Sequence, residues 1–364
     1  MEELRLARYE AQGNDFLIAL LTERELRDLE ASLDVLGLGR SDLVRVVCDR
    51  DLGVGSRRGY VHSRGADGFI IGVDRRPDRS MRMHLLNSDG SFAEISGNGL
   101  ASLACAASDA GTIPEGIVPF ETDAGTQYCT IGSDEIGSEN RPGARGRFVG
   151  VAMRQVGDGP TIPDELALRI RHDFGGDLRH IGTGDVGNPH LVIALDSPVD
   201  PARTAELGSA YERCFPNGIN VEFIWPHSGN PAQPEQAWSL MMSVWERGSG
   251  LTVSCGSGSI VAATLAHRWG FVRSPNDPPG APAEGGHDAK PPSSYPVDMR
   301  TAPFPGDHGS GFRYWVHTVP APHEDFIRPQ LRVVAERIET GLTLRLDHVP
   351  TLLNDLAAMT APQH

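Results

Sequence analysis

Residues 94–104 read EISGNGLASLA and residues 253–263 read VSCGSGSIVAA. Each places a small side chain with a hydroxyl or thiol, Ser96 or Cys255, before Gly-x-Gly and an apolar run. A glycine turn that opens a helix leaves backbone N–H groups without partners, and the helix dipole adds positive charge there. Such a turn binds anions. A single Gly-x-Gly is usually only a tight turn. Two of them, each with a side chain that can exchange a proton, suit a site that stabilises charge on a carboxylate while its α-proton is removed.

Other stretches supply polar groups in turn-like contexts. QGNDFLI (12–18), NSDGS (87–91), GNPHLV (187–192), GINVEF (218–223) and WERGSG (245–250) carry Asn14, Asn87, Asn188, Asn220 and Arg247. An Asn in a turn ordinarily bonds its own backbone, and that reading is preferred for any one of them. Taken together, the asparagines and the arginine form a cage for a zwitterionic ligand, with Arg available for a carboxylate.

The elements that must position these groups are mostly strands. DFLIALL, GFIIGV, MRMHLL, IVPFETDA, RFVGVAMR, HLVIAL, INVEFIW, SLMMSVW and LTVSC are apolar, rich in β-branched residues, and bounded by turn formers. Helical spacing is clear at 98–110 and 258–269, one helix after each glycine turn. This pattern predicts an α+β protein of two similar halves. Residues 134–146 are polar and turn-rich, and 274–311 are dense in Pro and Gly, so both read as surface insertions. Order returns at RYWVHTV, RVVAERI and LTLRLDHV. The expected division is therefore 1–117, 118–273, the insertion 274–311, and a C-terminal part 312–364 that completes the fold.

At 364 residues the chain has room for two ordinary domains. Its formal net charge of -15 argues against nucleic-acid binding and against anionic membranes. No run is long and apolar enough to span a bilayer, and the N-terminus lacks the pattern of a secretion signal. The five cysteines are scattered without C-x-x-C, so neither a disulfide framework nor a thiolate zinc site is expected. The thirteen histidines include no H-E-x-x-H, and no metal or cofactor is expected. A cytoplasmic setting follows from the cysteine usage.

The set GNDF, ADGF, NSDGSFAEISGNG, GNPH, NVEF and ERGSGLTVSCGSG resembles the diaminopimelate epimerase family, in the family's order from about residue 8 to residue 270. Asn87 stands nine residues before Ser96, and Glu246 nine before Cys255, as the family pattern requires. The resemblance implies two pseudo-symmetric halves, each a curved, mostly antiparallel sheet around a central helix, with the active site in the cleft between them. It implies a two-base epimerisation without pyridoxal, one cysteine per half acting on opposite faces of the α-carbon. Cys255 matches the second of these, and Ser96 stands in place of the first. Gly97 and Asn98, with Gly256 and Ser257, match the helix starts that hold the α-carboxylate. Asn87, Asn188, Asn220 and Arg247 match the grip on the distal end, with Asn14 in the same polar cage. His190 and Glu246 match groups that set the protonation of the catalytic pair. The family also implies a homodimer and a small amino-acid substrate.

Two departures lie at the centre: Ser96 itself, and Ala101 where the family carries Arg. A free thiol titrates near pH ~8.5 and a positive turn lowers that, whereas a hydroxyl is a far weaker acid and base. Cys255 is therefore expected to alkylate more readily than Cys105. Three readings follow: a working Ser/Cys epimerase or racemase, on diaminopimelate or another amino acid, including one of secondary metabolism; a one-base dehydratase or lyase; or a non-catalytic amino-acid binder. Residues 50–69 look like the family's G-x-G-A-D loop with about ten residues inserted, read here as a solvated loop.

Overall fold

The computed structural model describes residues 1–56, 64–75, 80–93, 95–137, 145–226, 239–252, 254–271, 297–301, 313–320 and 327–360. Most of the expected 274–311 insertion lies outside these residues. The chain divides into two compact units, Met1–Val151 with Val333–His364, and Ala152–Arg332. Among the described residues no helix is long and apolar enough to cross a membrane.

The first unit opens with β1 (Glu3–Ala11) and β2 (Asn14–Thr22), then α1 (Glu23–Val35) and α2 (Arg40–Val47). After β3 (Gly68–Asp74), β4 (Met81–Asn87) and the short β5 (Phe92–Ala93) comes α3 (Gly97–Asp109). It is followed by β6 (Gly116–Thr122), β7 (Gly125–Gly137) and β8 (Arg145–Ala152). The second unit contains β9 (Gly157–Asp158), α4 (Asp164–Phe174), β10 (Leu178–Asp185), β11 (Pro189–Leu195) and α5 (Pro201–Glu212). Next are β12 (Asn220–Pro226), β13 (Ser239–Glu246), β14 (Gly250–Thr252) and α6 (Gly256–Arg268). The chain ends with β15 (Val297–Thr301), β16 (Arg313–Pro320), the long β17 (Ile327–Arg345) and α7 (Val349–Thr360).

The two units repeat one ladder. In the first, β1–β2 is antiparallel, β2–β3 parallel, β3–β4 antiparallel, β4–β6 parallel, and β6–β7 and β7–β8 antiparallel. In the second, β10–β11, β11–β12, β12–β13, β13–β15, β15–β16 and β16–β17 follow the same sequence of senses. Each parallel step needs a crossover. In the first unit α1 with α2, and then α3, supply it; in the second α5 and α6 do so. Within the first unit β17 also pairs with β1 and β8, so that ladder closes on itself.

The α+β class and the paired halves agree with the sequence, but the boundary does not. Residues 118–151 stay with the first unit, because β6 pairs with β4 and β7, and β7 with β8. Val297–Thr301, expected inside a surface insertion, is instead β15, bonded to both β13 and β16. The LTVSC strand stops at Thr252, and Cys255 is a helix cap.

Every residue of α3 from Asn98 to Ala107 is buried, so the helix has no solvent face and fills the interior of its ladder. Its Ala101 is fully buried. A second apolar layer lies on the other side of the strands. Leu26, Leu29 and Leu33 of α1 recur at helical spacing and pack with Leu17, Ala19, Leu21, Phe69 and Ile71. The second unit repeats this: Leu207 and Tyr211 of α5 pack on Leu191, Ile193, Val221 and Phe223. Because a strand alternates its faces, residues 190, 192, 220, 222, 244 and 246 take the opposite side. That side is the one facing α6, which contacts β11 and β12.

Candidate active site

Cys255 is the N-cap of α6, extended at φ -134° and ψ 111°. The Gly258 N–H donates to its Sγ at 3.3 Å, and the Ser257 Oγ lies 3.4 Å from the same sulfur. Gly256 and Ser257 occupy the first two helical positions, whose N–H groups have no intrahelical carbonyl to reach. The Asn188 Nδ2 donates to Ser257 Oγ at 3.4 Å, which places this predicted residue beside the turn.

Cys255 is 5% exposed. Burial raises its pKa well above the ordinary value, the charges of Glu246 and Glu222 raise it further, and the Ser257 and Gly258 hydrogen bonds oppose this. The expected lowering by the positive turn is therefore overturned: the free protein holds Cys255 as a thiol. Cys105 is also buried, its thiol pushed up to about 12 mainly by burial.

On the face toward α6, His190 Nδ1 meets Glu222 Oε1 at 2.7 Å, and both side chains are fully buried. A ring nitrogen of His190, a carboxylate oxygen of Glu222 and Cys255 Sγ all lie within 4.8 Å of one another. This donor set could ligate a borderline metal, but two ligands of one zinc ion stand roughly 3.3 Å apart at the usual bond lengths. The 2.7 Å contact is a proton's spacing. Sequence reasoning passed over Glu222, whose signal was a single carboxylate inside the apolar run INVEFIW. Burial raises the pKa of Glu222, and His190 pulls it back. Glu246 accepts a short hydrogen bond from Thr252 Oγ1 across the β13–β14 turn.

Two of the expected ligand-gripping residues serve the backbone. The Asn220 Oδ1 accepts from Arg247 N at 2.9 Å, and its Nδ2 donates to the Pro189 carbonyl at 3.1 Å. Arg247 lies over Gly218, where a Cβ would stand 2.7 Å from its Cδ, and donates to the Asn217 carbonyl at 3.1 Å.

In the first unit Ser96 is the N-cap of α3, at φ -138° and ψ 124°, and accepts from Gly99 N at 3.1 Å. Gly97 and Asn98 open that helix. The Asn98 Nδ2 donates to Asn14 Oδ1 at 3.0 Å, and Asn14 Nδ2 donates to Asp67 Oδ2 at 3.4 Å. Behind them Asp15 binds the fully buried Arg8 and also Arg50, and Arg50 reaches Asp67 as well. Arg50 is thus part of an ion cluster rather than a solvated loop; residues 57–63 of that stretch lie outside the described residues. Burial raises the Asp15 pKa, but Arg50 and Arg8 outweigh it and hold the carboxyl below its usual range. Asp67 is raised, by burial and by Asp15. Asn87 closes its own hairpin, its Nδ2 donating to Ser91 Oγ at 2.9 Å.

A family model described as diaminopimelate epimerase matches residues 183–275. The diaminopimelate epimerase of Desulfitobacterium hafniense is 32% identical over 62% of this chain and 74% of its own length. That of Prochlorococcus marinus is 28% identical over 72% of this chain and 78% of its own. Among solved structures, a Bacillus anthracis phenazine biosynthesis protein of the PhzF family covers 94% of this chain at a TM-score of 0.55 and 17% identity, and all of its own length. A methylitaconate-delta-isomerase covers 95% of this chain and 97% of its own, at a TM-score of 0.52 and 13% identity. At those identities the structures support the fold, while the sequence relatives carry the kinship. The chain belongs to the diaminopimelate epimerase family, and it is an isomerase of the amino-acid epimerase and racemase class.

Proposed function

We propose that this protein inverts the α-carbon of diaminopimelate or a close analogue in the cytoplasm, without a cofactor. The observation that carries the reading is the Cys255 turn: a buried thiol at a helix start, with His190, Glu222 and Glu246 gathered around it. In this reading the α-carboxylate is held at the unpaired N–H groups of Gly256 and Ser257. Cys255 removes or returns the α-proton, and the helix dipole stabilises charge as it builds on the carboxylate. The resting thiol must pass its proton to a neighbour before it acts as a base. Ser96, with Gly97 and Asn98, is assigned to the opposite face of the α-carbon. Asn14, Asn87, Asn188, Asn220 and Arg247 are assigned to the rest of the ligand, with Asn87, Asn220 and Arg247 also bonded within their own turns.

Incubation with LL-diaminopimelate in D2O tests the reading. Deuterium at the α-carbon together with conversion to the meso form is the expected result. Exchange with no change of configuration would rule out two-base epimerisation. One observation favours a second reading: among the described residues Ser96 has no imidazole or carboxylate partner, whereas Cys255 has several. A one-base lyase would therefore release ammonia and a keto acid from a β-hydroxy amino acid. Binding with no exchange would leave only a binder.

A further inference from the structure

We infer that Glu222 is a positioning residue for the acid–base work of Cys255: it takes the Nδ1–H of His190, so that Nε2 is the nitrogen left to exchange a proton with the thiol. The inference deepens the epimerase reading and rests on it.

The register shows that the fold does not require this carboxylate. In the first unit Phe16 pairs with Gly68, and Gly68 with Asn87, nine residues before Ser96. In the second, His190 pairs with Asn220; the β12–β13 register continued by one residue pairs Asn220 with Glu246, nine before Cys255. Ile70 and Glu222 each stand two residues further along. Under the Ser96 turn the chain therefore carries Phe16 and Ile70, where under the Cys255 turn it carries His190 and Glu222. A Cβ on Gly99 would stand 3.3 Å from Ile70 Cδ1, while one on Gly258 would stand 2.5 Å from Glu222 Oε1. The same shelf is apolar beneath the hydroxyl and ionisable beneath the thiol.

A buried polar atom left without a partner is costly, so a fold does not keep such groups without a reason. Among the described residues, His190 Nε2 and Glu222 Oε2 are both buried and have no hydrogen-bond partner. The step that uses Nε2 is a proton transfer. The Sγ–H bond of Cys255 breaks, an Nε2–H bond forms on His190, and the products are a thiolate and an imidazolium. Glu222 stays ionised opposite Nδ1, where it balances the new positive charge. The reverse transfer returns the proton to sulfur.

Two measurements on the full chain decide this, neither of which uses a substrate, so failure of the epimerase reading would appear only in the D2O assay. The first is 15N NMR of histidine-labelled wild type, with His190 assigned by loss of its signals in His190→Gln. Nδ1 should remain protonated on both sides of the Cys255 titration, leaving Nε2 as the unprotonated ring nitrogen. A bare Nδ1 facing a protonated Glu222 would overturn the proposal. The second is the pH profile of Cys255 alkylation by iodoacetamide in Glu222→Gln. Glutamine can still accept from Nδ1–H and so holds the ring in place, but it carries no charge to balance an imidazolium. A bystander carboxylate would shift it down, since removing a negative charge eases ionisation of the thiol. The positioning role shifts it up, in the direction of His190→Gln, and a one-unit shift slows the reaction at neutral pH about tenfold. A downward or absent shift overturns the proposal, and if Glu222→Gln fails to fold the wild-type NMR still decides.

Discussion

The Ser96 and Cys255 turns share an extended backbone: φ -138° and ψ 124° at one, φ -134° and ψ 111° at the other. Each caps a 13-residue helix and accepts from the N–H three residues on. What differs is the layer beneath. Under the Ser96 turn lies Ile70, with Phe16 at the register position of His190 and the charged groups set back in the Arg8–Asp15–Arg50–Asp67 cluster. Under Cys255 lie His190 and Glu222, fully buried, with the Glu246 charge close enough to act on the thiol. The glycines and the cap therefore fix the turn, while inward positions on the strands decide whether the capping atom can exchange a proton. The acid–base difference between the halves is one of surroundings as well as of oxygen against sulfur.

The largest expected effect comes from making the capping atoms alike. Cys255→Ser should cut α-proton exchange from diaminopimelate by roughly 10²–10⁴-fold, the usual contribution of a placed acid or base. Retention of wild-type exchange would mean that Cys255 does not handle the α-proton. The converse change, Ser96→Cys, should speed inversion by about 10²-fold, because a thiol ionises far more readily than a hydroxyl. An unchanged inversion rate would show that the capping atom of the first half does not limit the reaction.

Much of this contrast was legible in the sequence, because turns and caps are local. Ser96, Cys255, the two helices and the spacing to Asn87 and Glu246 are written in short stretches. Glu222 was not, since in INVEFIW its meaning depends on both faces of β12 being covered: Val221 and Phe223 against α5, the others toward α6. Arg8, Asp15 and Arg50 were also hidden, because a buried ion cluster is assembled from separate stretches of chain. For Asn220 the preferred reading of a turn Asn holds, since both its polar ends have backbone partners. The boundary at 117 failed for a related reason: ladder partners, not composition, decide which unit a strand joins.

The shelves can be compared directly by adding one methyl to each. At Gly258 a Cβ would stand 2.5 Å from Glu222 Oε1, closer than real contacts allow, and the carboxylate is held by His190. Gly258→Ala should therefore cost about 1–3 kcal/mol of stability. At Gly99 the nearest atoms are the Ser96 Cβ at 3.2 Å and the ends of Ile70 and Met83 at 3.3 Å, which can give way. Alanine also suits a helix better than glycine, by up to about 1 kcal/mol, so Gly99→Ala should be nearly neutral. Urea denaturation of both variants measures the gap. Equal costs would mean that the second shelf is no more rigid than the first.

The smallest effect separates the two caps by pH. Ser96→Ala removes a hydroxyl cap and should cost about 1 kcal/mol, the same at neutral and alkaline pH, since the hydroxyl does not titrate there. Cys255 behaves otherwise. Burial holds its folded pKa well above the ordinary value of 9.0, so the folded state keeps a proton that the unfolded chain loses. That stability is fully present below pH 9 and declines as pH rises toward the folded value. Between pH 9 and 10 the wild type should lose about 1 kcal/mol relative to Cys255→Ala, while its difference from Ser96→Ala stays constant. Chemical denaturation at the two pH values reads both differences. A constant gap to Cys255→Ala would mean that the thiol ionises in the folded protein as readily as in the unfolded chain, and the contrast between the two surroundings would fail.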